Sequence, residues 1–125
     1  MSAPINAPKT PIPGETAAEL DEILYELSEM LSRLSLQEVN EILITLRNAF
    51  NITYIPNERF ESDLLVLFSI RPFQSEEENK KFRELLTKLL KIMNKNMPPL
   101  LMKRVRLVNY VINTIFNIVR SLKSE

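Results

Sequence analysis

Leu20, Leu24, Leu27, Leu31 and Leu34 fall at alternating spacings of four and three residues. An α-helix, with 3.6 residues per turn, brings such positions onto one stripe, and no strand does. Ile23 and Met30 widen the stripe, as a helix facing a globular core requires. The alternation returns in Leu36, Val39, Leu43, Leu46 and Phe50, with Ile42 beside it. It returns again, unbroken, in Leu101, Val105, Val108, Ile112, Ile115, Val119 and Leu122. Leu107, Val111 and Ile118 spread this last apolar surface over more than half the circumference. Such a helix is either covered by several neighbours or shared with another copy.

Local signals punctuate these segments. Thr16-Ala-Ala-Glu19 and Ser35-Leu-Gln-Glu38 both have the form of a capping box, in which hydroxyl and carboxylate satisfy each other's backbone amides. The second follows Leu34 at once, so the first two helices are expected to meet in a compact corner or hairpin. Ser75, followed by Glu76, Glu77 and Glu78, predicts another firm start, with three carboxylates at the positive end of the helix dipole. Its apolar face is Phe82, Leu85, Leu86, Leu89, Leu90 and Met93, and Met97-Pro98-Pro99 breaks the chain after it. Between these parts, Asn51–Asn57 ends the second helix and Phe60–Ile70 is apolar enough to suit a buried helix or a buried strand. A helix is favoured, since Phe60, Leu64, Leu67 and Phe68 share a face and Asn57 can cap it.

The expected fold is therefore all-α: a single-domain bundle of four to five helices over residues 16–125, preceded by an extended proline-rich arm over 1–15. The arm carries Pro4, Pro8, Pro11 and Pro13, and Ile5 and Ile12 give it two apolar anchors for a neighbouring subunit or a ligand. The alternative is an α+β winged-helix domain, if 51–70 forms a β-hairpin.

Composition removes most chemistries. With no Cys and no His, the chain lacks thiol nucleophiles, thiolate metal sites, the commonest general base and the usual metal ligand. One glycine rules out glycine-rich phosphate loops. Paired-carboxylate chemistry survives in principle, but the acids fall on the solvent sides of the expected helices. The expectation is a protein that is not an enzyme, with no catalytic residues, no metal and no cofactor. No signal-like segment stands at the N-terminus, and Leu107–Val119 is too short and too interrupted by Asn109, Asn113 and Asn117 to span a bilayer. A cytoplasmic or virion location is expected on those grounds.

The formal net charge of zero conceals a split. From Leu85 to Ser124 no acid occurs, while Lys88, Lys91, Lys95, Lys103, Arg104 and Arg106 gather around Pro98-Pro99. Arg120 and Lys123 sit favourably near the last helix's negative end, but three cations in its first turns oppose the dipole, at about 0.3–1 kcal/mol each. This basic elbow is the candidate anion contact: a solvated face by itself, or a surface for nucleic-acid phosphate, an acidic protein or anionic lipid. Tyr110 is the one aromatic nearby with a polar edge, so backbone contact is expected rather than base recognition. Glu15, Glu19, Asp21, Glu22, Glu26 and Glu29 form an opposing acidic face that either meets water or meets an elbow, within one chain or head-to-tail between copies. Asn109, Asn113 and Asn117, at strict four-residue spacing, either face water or set the register of a helix–helix contact.

Taken together, these features predict a structural or assembly protein that forms a homo-oligomer. Leu101, Val105, Val108, Ile112, Ile115, Val119 and the three asparagines are its self-association face, and its elbow coats or contacts nucleic acid without sequence preference. A small helical domain with an extended N-terminal arm resembles, in architecture, the coat proteins of some filamentous viruses of archaea. Two other functions fit parts of the pattern. A small DNA-binding regulator would need the hairpin wing and a reading helix, for which the second helix offers Asn40, Arg47 and Asn48. A membrane-surface protein would lay the apolar face of the last helix on anionic lipid.

Overall fold

The computed structural model describes residues 14–52, 69–96 and 101–124. Among these, four helices occur and no strand: α1 (Gly14–Leu31), α2 (Leu36–Ile52), α3 (Glu76–Asn96) and α4 (Leu101–Lys123). The fold is an all-α bundle. Asn51 and Ile52 are the last residues of α2, and the remainder of the hairpin or helix considered for 51–70 lies outside the described residues except Ser69 and Ile70. Those two are not helical. Met97-Pro98-Pro99 and the arm with Ile5 and Ile12 also lie outside.

α4 packs against both α1 and α2, and α1 packs against α3. Two hydrogen bonds fix the direction of the central pair. The Tyr110 hydroxyl donates to Asp21 Oδ1 at 3.0 Å, and Ser28 Oγ lies 3.4 Å from the Ile115 carbonyl oxygen. Residue numbers rise together along the two helices, so α1 and α4 run parallel. Ser28 is fully buried and also bonds its own helix at the Leu24 carbonyl, at 2.6 Å. A small side chain there lets the two backbones approach. α3 starts beside the end of α1, where Arg33 pairs with Glu78, and packs back along it. The end of α3 and the start of α4 therefore lie at the end of the bundle where α1 begins. The four residues between them span at most about 18 Å.

The capping chemistry explains where α2 and α3 start. Ser35 and Glu38 make the reciprocal box: Glu38 N donates to Ser35 Oγ at 3.1 Å, and Ser35 N donates to Glu38 Oε1 at 3.2 Å. Bonds from Arg33 N to Met30 O and from Leu34 N to Leu31 O tighten the end of α1 into the corner. α3 opens under Ser75, whose Oγ accepts from Glu78 N at 3.4 Å. Asn79, almost fully buried, brackets the approach to α3 by accepting from Phe73 N (2.9 Å) and donating to Phe73 O (2.7 Å). That holds Phe73 edge-on to Phe82, with ring centroids 5.6 Å apart. α1, however, begins at Gly14, so Thr16 and Glu19 lie inside the helix instead of flanking its start.

The apolar stripes meet in one continuous core. Leu20, Leu24, Leu27 and Leu31 of α1, Val39, Leu43, Leu46 and Phe50 of α2, and the whole expected face of α3 are buried. Each such leucine or phenylalanine contributes about 1.5–3 kcal/mol by leaving water. Leu36 departs from its stripe and is 46% exposed. As the first residue of α2 its side chain leans back toward the helix N-terminus, off the end of the packed surface.

Candidate anion-binding elbow

Lys88, Lys91 and Lys95 follow one another at spacings of three and four along α3, so they share the side opposite the buried Leu86, Leu89, Leu90 and Met93. All three are exposed, as is Arg106 on α4. Lys103 and Arg104 occupy the first turns of α4, which hold no acid in the opening turn. The end of α3 and the start of α4 both lie at the end of the bundle where α1 begins, so Lys95 and Arg106 belong to that end, with Lys91 and Lys88 one and two turns further along α3.

Compensation for charge is found at the other end. The three ion pairs among the described residues are Arg33–Glu78, Arg71–Glu76 and Arg83–Glu76, the last two at 3.0 Å. All involve the first turn of α3. The Glu76 carboxyl is held below the usual carboxylate range, first by the Arg83 hydrogen bond and then by Arg71. A carboxylate with a lowered folded-state pKa stabilises the fold above its ordinary value of 4.5 and loses that contribution as pH falls through the lowered value. Glu76→Gln is expected to lower the melting temperature slightly at pH 7, where the wild type carries the whole contribution, and to flatten the acid limb of a thermal-melt series run downward from pH 5, so that the two proteins converge at the acid end. No described elbow cation forms an ion pair; Glu84 shares the face of Lys88 one turn earlier without pairing to it.

The acidic face of α1 is open to solvent at Glu19, Asp21, Glu22, Glu26 and Glu29. Among the described residues none of these carboxylates pairs with a cation. Tyr110, considered as an aromatic companion of the elbow, turns its hydroxyl to Asp21 and is half-buried against α1. It is a link between helices, not an edge offered to a ligand.

The α4 face expected to drive self-association is largely used within the single chain. Val108, Ile115 and Val119 are fully buried and Ile112 is 8% exposed, because α1 and α2 cover α4 from two sides. Val105, at 38%, and the three asparagines Asn109, Asn113 and Asn117 remain exposed; Leu101 is the first residue of α4. Among the described side chains of α4, Val105 is the large apolar residue that stays exposed. No helix among the described residues is long and apolar enough to cross a membrane.

Beside the asparagines, α2 and α4 enclose an open groove of about 150 Å³ lined by Asn40, Leu43, Ile44, Arg47, Ile112, Asn113 and Phe116. It was not foreseen from the spacing of residues, since it depends on how two helices 60 residues and more apart are juxtaposed. Its one local signal was Ile44, an isoleucine off the α2 stripe that is 52% exposed. Among the described residues no cluster of acids is placed to hold a metal ion. No family model, curated protein or solved structure matches the chain.

Proposed function

We propose that this protein is a non-catalytic assembly protein whose basic elbow binds a polyanion, nucleic acid above all, through its phosphates. The observation that carries the reading is the exposure of Lys88, Lys91, Lys95 and Arg106 with no ion pair among the described residues, while the ion pairs gather at the opposite end. Like charges at one end repel each other, and the N-terminal dipole of α4 adds to that repulsion. A polyanion relieves both and releases its own counterions on binding. Donors on flexible lysine stems suit a repeating phosphate backbone and carry no base code. Self-association falls to the exposed strip Val105, Asn109, Asn113 and Asn117, where amides can pair across a helix contact around one apolar position.

Fluorescence anisotropy of a labelled duplex DNA, titrated with protein from 50 to 300 mM salt, tests this. With about five phosphate contacts, log affinity falls with log salt at a slope of roughly −4 to −5. A salt-independent affinity, or no binding at the lowest salt, contradicts the proposal.

A further inference from the structure

We propose that the groove between α2 and α4 is the docking site of the chain's own N-terminal segment, with Ile5 as the side chain that fills it. The groove has an apolar floor of Leu43 and Ile112, walls of Ile44 and Phe116, and a polar rim. Its volume of about 150 Å³ matches the size of cavity that takes a six-carbon ring, so one branched aliphatic side chain fits. It falls well below the ~300–1,000 Å³ of pockets for small-molecule ligands.

The rim chemistry favours a proline-rich occupant. Proline has no N–H, and an extended proline-rich segment keeps its carbonyls free to accept hydrogen bonds. Asn40, Arg47 and Asn113 present donors around the groove.

Reach selects which isoleucine is involved. The N-terminal segment joins the bundle at Gly14, the first residue of α1. Because α1 and α4 run parallel, with Asp21 level with Tyr110, Gly14 stands about ten residues, or roughly 15 Å, below Asn113. Crossing α4 adds about one helix spacing of ~10 Å. Ile12 precedes Gly14 by two residues and reaches only about 7 Å. Ile5 precedes it by nine and reaches about 30 Å. A tether of this length gives a local concentration on the order of millimolar, so at micromolar protein the chain's own segment occupies the groove ahead of a neighbour's.

The chain contains no Cys, so introduced pairs report without background. In the full chain, Ile5→Cys with Ile44→Cys is compared with Ile12→Cys with Ile44→Cys under mild oxidation at micromolar concentration. Ile44 is half-exposed, and circular dichroism verifies that both variants keep the helical fold. A disulfide needs Cα atoms within about 7 Å. The Ile5 pair is expected to close within one chain at least about tenfold faster than the Ile12 pair, and Ile5→Cys in that pair is expected to protect an otherwise alkylatable thiol at position 44. Equal rates for the two pairs, no closure of the Ile5 pair, or closure in the dimer band alone would each overturn the proposal.

Discussion

Replacing Lys88, Lys91, Lys95 and Arg106 together with glutamine removes most of the affinity for duplex DNA while leaving the bundle folded. Each phosphate contact contributes about 0.9 to the slope of log affinity against log salt, so four lost contacts take about 3.6 off it. Over the salt range from 50 mM to 1 M that corresponds to between about four and five orders of magnitude in affinity at the low-salt end. The same four positions are exposed, where substitutions typically change stability by no more than about 0.5 kcal/mol each. Lys95 alone carries a further favourable interaction, in the last turn of α3. A quadruple variant with wild-type melting behaviour and a shallow salt slope is therefore the expected pair of results. Unchanged affinity in anisotropy would move the binding surface elsewhere on the chain.

Phe82→Ala has the largest expected effect on stability, about 3–5 kcal/mol. Phe82 is fully buried, and it meets Phe73 edge-to-face. Truncation leaves a cavity under α3 and removes the ring contact that the Asn79 bracket exists to present. A domain of ordinary stability has about 5–15 kcal/mol in total, so the variant loses a large share of it. Urea unfolding monitored by circular dichroism measures this directly. A loss under about 1 kcal/mol would mean that Phe82 is not held in a packed core.

Local regularities were legible in the sequence, and contacts between distant segments were not. Ser35 and Glu38 are three residues apart, and their reciprocal box forms where the pattern placed it. The face Phe82, Leu85, Leu86, Leu89, Leu90 and Met93 is buried as its spacing implied. Spacing shows how much surface a helix must cover but not what covers it. That is why Val108, Ile115 and Val119, candidates for a contact between copies, are instead buried by α1 and α2. The Tyr110–Asp21 bond joins residues 89 apart, and Arg33–Glu78 joins residues 45 apart. No periodicity encodes either. Asn79 and Ser28 left a fainter trace: each falls on an apolar stripe, and a polar residue there needs a buried partner. The exposure of Lys88, Lys91 and Lys95 was legible as well, since it follows from the apolar face opposite them.

The most direct test of the central claim maps the bound polyanion onto the chain. Amide chemical shifts of the isotope-labelled protein are followed by NMR during titration with a short duplex DNA at low salt. The account predicts shifts concentrated at Lys88, Lys91, Lys95 and Arg106, with the acidic face of α1 at Glu22, Glu26 and Glu29 silent, and reversal of the shifts at high salt. Shifts centred on another surface, or none at saturating DNA, would contradict it.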